Sequence, residues 1–139
     1  SIGYGGLALS VLFLVWLNVD EDVNVIKSEH MKPYYTGALA DFIQTIEWVR
    51  ENTPPDAVVI SERPPWVYLL SGRKTFSFPW VKDVEVVISF IKEIDADYVI
   101  STPITSLTSL YLTPAIKKHR DMFKEIYRKG GNVVYRVSK

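Results

Sequence analysis

The chain has 139 residues, with 16 basic and 16 acidic side chains and no cysteine. That length fits one domain with its own core. The balanced charge argues against a nucleic-acid partner. Absent cysteine excludes disulfides, thiol nucleophiles and thiolate zinc sites.

Residues 1–19 contain no Lys, Arg, Asp or Glu. Leu7 to Val19 is almost wholly apolar, with Trp16 near its end. As a helix it would be about 20 Å long, short of the roughly 30 Å bilayer core. Three readings fit: the end of a transmembrane helix, a buried core helix, or a hydrophobic strand. The acidic run Asp20-Glu21-Asp22 follows, and residues 20–35 read as a linker.

Ala38 to Glu51 is an amphipathic helix with the stripe Leu39, Phe42, Ile43, Ile46, Val49. Asn52-Thr53-Pro54-Pro55-Asp56 ends it, because proline disfavours helix at and before itself. Ala57 to Ser61 is β-branched and apolar, the mark of a buried strand. Pro64 and Pro65 suit the first turn of a helix covering Trp66 to Leu70, with Ser71-Gly72 as its stop. Thr75 to Phe78 reads as a strand closed by Pro79. Asp83 is a candidate N-cap for a helix with the stripe Val84, Val87, Ile88, Ile91, Ile94. Tyr98 to Ser101 is a second buried strand. Leu107 to Tyr111 fits no period, and Pro114 opens a short helix. Phe123 to Arg128, Gly130-Gly131-Asn132 and Val133 to Val137 form a hairpin pattern. The fold class expected is an α/β sandwich, with a mostly parallel sheet and an antiparallel C-terminal hairpin.

No phosphate-loop, dinucleotide, zinc-protease or serine-hydrolase motif occurs. His30 and His119 have no neighbours at metal-ligand spacing, so no metal site is expected. Ligands of open α/β sheets sit outside the carboxyl ends of the strands. That rule gathers Glu62, Arg63 and Thr102 at one rim. Arg63 and Arg73 have the fork geometry for a phosphate or carboxylate. The competing reading makes Glu62 and Arg63 loop charges that pair with each other or with solvent. Trp66, Tyr68, Phe76, Phe78 and Trp80 suit sugar or lipid contacts if exposed, and core if not. Trp66 and Trp80, each beside a proline, are the candidates for exposure. From Lys117 to Lys139 there are 8 basic and 2 acidic residues. The run Lys117-Lys118-His119-Arg120 suits either anionic lipid phosphates or a solvated helix face.

The stretch Trp48 to Ser61 (WVRENTPPDAVVIS) resembles the start of a recurrent extracytoplasmic domain. So do Tyr68 to Lys74 (YLLSGRK), Ala96 to Ile100, Phe123 to Tyr127 and Gly131 to Val137. The group resembled is the protein-mannosyltransferase and aminoarabinose-transferase-like branch of the glycosyltransferase C superfamily. Its members are multi-spanning membrane enzymes that use lipid-linked sugars. The resemblance spans about residues 40–138 and implies a C-terminal domain at residues 36–139 on the extracytoplasmic side of the cell membrane. It turns residues 1–19 into the end of the last transmembrane helix. It implies as partners the membrane domain of the same polypeptide, the bilayer surface and a polyprenyl-phosphate sugar, with no cofactor in this segment. The catalytic carboxylate of such enzymes lies in an earlier loop, so no catalytic residue carries over. Glu62, Arg63, Trp66, Arg73, Trp80 and Thr102 remain the substrate-binding candidates. Leu107 to Tyr111 has no counterpart in the group.

Overall fold

The computed structural model describes residues 37–139. The hydrophobic stub at 1–19, the linker at 20–35 and His30 lie outside the described residues. Helix α1 spans Ala38–Asn52 and buries Phe42, Ile43, Ile46 and Val49 of the stripe read from the sequence, with Leu39 at its start half-buried. Thr45 is buried on the same side; its hydroxyl donates to the Asp41 carbonyl at 2.7 Å, which satisfies it. Strand β1 is Val58–Ile60 and helix α2 is Pro64–Ser71, with the prolines in its first turn. Gly72 ends α2 at φ +71°, and its N–H donates to the Tyr68 carbonyl at 2.8 Å. That left-handed cap is cheap only for glycine.

Strand β2, Lys74–Phe76, is shorter than the sequence reading, which ran to Phe78. Phe78 is buried all the same, because it packs into the core beyond the ladder. Helix α3, Val84–Glu93, starts at Asp83, whose carboxylate accepts from the Glu85 N–H at 3.0 Å. Strand β3 is Tyr98–Ser101. The unassigned stretch becomes a wide π-type turn at Thr108–Leu112 that runs straight into helix α4, Thr113–Lys118. A short 3-10 turn at Arg120–Met122 leads to β4, Phe123–Lys129, and β5, Asn132–Val137.

The five strands lie in the order β2-β1-β3-β5-β4. Pairs β1–β2 and β1–β3 are parallel, whereas β5 runs antiparallel to β3 and β4. Four strands therefore point one way and β5 alone is reversed. The register slips between Glu125 and Tyr127, which leaves Ile126 as a bulge residue. The protein is thus a small α/β sandwich on a mixed sheet.

Side chains alternate across a strand, and the two faces bury different layers. Ile60 and Val99 join Val87, Ile88 and Ile91 of α3, and Leu112, Ala115 and Ile116 of the π turn and α4. Val59, Ile100 and Val134, all fully buried, lie outside that cluster. They belong to the face of α1, which packs on β4, β5 and α2. Trp48 of α1 stacks on Tyr127 of β4, ring centroids 4.6 Å apart, which fixes α1 over the bulged strand.

Candidate functional site

The rim named by the strand-end rule forms only in part. Glu62 follows β1 and Thr102 follows β3, and both are buried at the carboxyl end of the parallel pair. The Glu62 carboxylate does not face an open crevice. It accepts from the Thr105 N–H at 3.1 Å, the Thr108 N–H at 3.1 Å and the Thr108 hydroxyl at 2.6 Å. These donors stand at the start of the π turn, where helical N–H groups have no internal partner. Glu62 therefore serves as the cap of that turn from 46 residues away. The loop it holds closes over the crevice. The Thr102 hydroxyl is buried with no hydrogen-bond partner among the described residues.

Arg63 and Arg73 do not share a rim. β1 and β2 are parallel, Val58 facing Lys74 and Ile60 facing Phe76. Arg63 lies just past the carboxyl end of β1, and Arg73 just before the amino end of β2. Arg63 is exposed, whereas Arg73 is 8% exposed. The Arg73 guanidinium donates to the Thr53 hydroxyl at 3.0 Å and the Ser71 carbonyl at 2.8 Å. One Nη bonds both the Arg50 carbonyl at 2.6 Å and the Thr53 carbonyl at 2.8 Å. The last carbonyls of a helix lack partners and carry partial negative charge. Here the Trp48 carbonyl takes the Asn52 amide, the Val49 carbonyl takes the Thr53 hydroxyl and the Arg50 carbonyl takes Arg73. Arg73 is a clamp on the end of α1, with its donors committed to the fold.

The aromatic cluster divides by exposure. Phe78 is core, Trp66 is half-buried, and Trp80 and Tyr68 are 58% and 60% exposed. Tyr68 lines a shallow groove of about 520 Å³ along edge strand β2, with Pro55, Pro65 and Phe76.

Sequence reasoning missed a deeper cleft on the other side of the sheet. It holds about 480 Å³ between α4 and the antiparallel strands. Lys117 and Arg120 supply its charge; Ser101, Thr113 and Tyr135 bring hydroxyls; Ile116 and Phe123 supply apolar wall. Glu125 completes the lining. The signal for it was the basic run 117–120, which straddles the end of α4. Lys117 is in the last turn of α4 and Arg120 opens the 3-10 turn that follows, and both line the cleft. Lys118 and His119 turn instead to Glu85 of α3, at 3.0 and 3.1 Å. The His119 and Lys118 bonds hold the Glu85 carboxyl below its ordinary range. Burial and the Glu125 charge push the Tyr135 phenol above its ordinary range, so it stays a neutral donor. Its ring meets Phe123 edge-on at 6.3 Å.

Among the described residues no three His, Asp or Glu side chains converge to hold a metal ion. No described helix is long and apolar enough to cross a membrane.

Fold and site together define a small mixed-sheet α/β domain whose strand-end crevice is filled by its own loop and whose open cleft is cationic. No family model matches the chain, and no curated protein matches it. Among solved structures it is similar to the C-terminal globular domain of an oligosaccharyltransferase from Archaeoglobus fulgidus. The identity is 12% and the TM-score 0.48, over 74% of this chain and 100% of that one. A likeness at that level assigns neither family nor activity.

Proposed function

We propose that residues 36–139 are the non-catalytic extracytoplasmic domain of a multi-spanning membrane glycosyltransferase that uses a lipid-linked sugar. The domain caps the membrane active site or helps to bind substrate there. In the whole enzyme an acceptor nucleophile attacks the anomeric carbon of a polyprenyl-phosphate sugar, and the lipid phosphate leaves with the bonding electrons. The domain supplies no catalytic group to that step. Its partners are the membrane domain of the same polypeptide, the bilayer surface and the lipid-linked sugar.

One observation carries the reading. Two of the stretches that resemble the transferase domains, Trp48 to Ser61 and Tyr68 to Lys74, meet in space at the Arg73 clamp. Two of the five resembling stretches thus belong to one three-dimensional device, which supports the reading. The device is architectural, which suits a domain that supports a reaction without performing it. The uncharged stretch Leu7 to Val19, followed by acidic residues, supports a position next to a membrane.

The test is topological. Protease added to sealed, oriented vesicles that carry the polypeptide from its natural reading frame should cut residues 36–139 only from the extracytoplasmic side. Cutting from the cytoplasmic side, or recovery of the polypeptide free of membranes, overturns the reading. Removing residues 36–139 should raise the KM for the lipid-linked sugar or the acceptor.

A further inference from the structure

We propose that the cleft beside α4 binds a phosphate group carried on a small polyol, the chemistry shared by a sugar phosphate and a glycerophospholipid headgroup. The inference concerns the cleft's own chemistry and stands whether or not the domain serves a membrane transferase.

The first argument is charge. Four basic or potentially basic side chains follow one another from Lys117 to Arg120. Glu85 takes up Lys118 and His119. Lys117 and Arg120 have no carboxylate partner among the described residues and line the same concave surface. Two cations without a partner in one cleft are a standing attraction for an anion. A guanidinium fork beside an ammonium matches a phosphate, which offers several anionic oxygens, better than a single carboxylate.

The second argument is the rest of the lining. Ser101, Thr113 and Tyr135 present hydroxyls that both donate and accept. Glu125 is bonded by Arg128 from Nε at 2.6 Å and from Nη at 2.5 Å, both on Oε1. Its Oε2 has no partner among the described residues. A carboxylate oxygen repels a bare anion but accepts readily from a ligand hydroxyl. A wall of hydroxyls and one carboxylate therefore selects hydroxyl groups, while Lys117 and Arg120 select phosphate. Phe123 and Ile116 offer apolar surface to the C–H face of a polyol. The volume of about 480 Å³ accommodates a monosaccharide phosphate.

The test uses the whole 139-residue chain. Glucose 1-phosphate and inorganic phosphate are titrated by calorimetry. Flotation with phosphatidylcholine vesicles, with and without phosphatidylglycerol, reads the lipid source. Glucose 1-phosphate should bind about tenfold more tightly than inorganic phosphate. Arg120→Gln should weaken it about tenfold with unchanged thermal unfolding, and Lys118→Gln should not. Tyr135→Phe and Glu125→Gln should weaken glucose 1-phosphate and leave inorganic phosphate unchanged. Binding to phosphatidylglycerol vesicles with the same variant pattern assigns the lipid source; binding to glucose 1-phosphate alone assigns the soluble one. Binding of neither overturns the proposal. So does equal loss in Lys118→Gln and Arg120→Gln, which would make the attraction a diffuse surface charge. Failure here leaves the vesicle topology untouched, so the two readings fall separately.

Discussion

Replacing Arg73 with Met tests whether the guanidinium or mere packing holds α1 to the sheet. The methionine stem keeps much of the apolar contact along the arginine chain. What it removes is one donor set for four acceptors, the Thr53 hydroxyl and three carbonyls, at 2.6 to 3.0 Å. Hydrogen bonds from a charged group are worth about 1.5 to 3 kcal/mol each, and an orphaned buried acceptor costs about 1 to 3. Four such terms do not add, because the Arg50 carbonyl is only part-buried and water can replace the lost donor there. Relief of burying a cation offsets more. The expected net loss is about 3 kcal/mol for Arg73→Met, and about 1 to 2 for Arg73→Lys, whose ammonium cannot span both Thr53 and Ser71. At about 3 to 6 °C per kcal/mol for a chain of this size, Arg73→Met should lower Tm by about 10 to 15 °C. Urea unfolding followed by far-UV circular dichroism measures the difference, provided the slope m is unchanged. Thr53→Val should be non-additive with Arg73→Met, because the two share a bond. A Met variant within about 0.5 kcal/mol of the parent, or a Lys variant as damaged as Met, would refute the clamp.

Three further outcomes follow from the same geometry. Glu62→Gln places an amide N–H where the carboxylate accepts from Thr105 and Thr108, and should cost about 1 to 3 kcal/mol in urea unfolding. Burial pushes the Asp97 carboxyl up, but the Lys139 ammonium and the Val58 N–H outweigh it and leave it below the ordinary range. Its stabilising share is therefore present above about pH 4 and lost as the pH falls further, and Asp97→Asn should flatten that acid limb in a pH series of melts. Gly130→Ala should destabilise the hairpin, since the residue sits at φ +59° and a Cβ would stand 2.5 Å from an Asp41 carboxylate oxygen; Gly130→Ala with Asp41→Ala should recover part of the loss in the same melts.

What the sequence shows plainly is whatever is local. The stripes of α1 and α3, the proline start and glycine stop of α2, the Asp83 cap and the Gly130-Gly131 hairpin all depend on neighbours within a few residues. The π turn at Thr108–Leu112 is not local. Its first N–H groups are satisfied by Glu62, so nothing between Leu107 and Tyr111 could announce it. Phe78 misled the strand boundary because burial and ladder pairing are separate properties. Arg73 shows the limit most clearly. An arginine after Ser-Gly reads as a ligand group, and only the return of the chain beneath α1 shows that its ligands are carbonyls of Arg50 and Thr53. Its separation from Arg63 is a matter of strand direction, which a list of apolar runs does not contain.

The site that did not form and the site that did have one cause. A parallel pair such as β1–β3 leaves its carboxyl ends open only if the loops beyond them turn away. Here the loop after β3 must return to start α4, and the π turn at its end needs an acceptor for its first amides. Glu62 supplies that acceptor, and with the turn so capped Glu62 and Thr102 at the strand ends are buried. The antiparallel half carries no such debt. β5 hydrogen-bonds to β3 and β4 along its length and needs no side-chain caps. Tyr135 and Glu125 on those strands, and Ser101 opposite Val133, keep polar atoms for something else. Lys118 and His119 dock α4 on α3 through Glu85, which leaves Lys117 and Arg120 lining the cleft with them. The free polar capacity of the cleft therefore lies beside β5, the one reversed strand, and reaches the end of β3 only at Ser101.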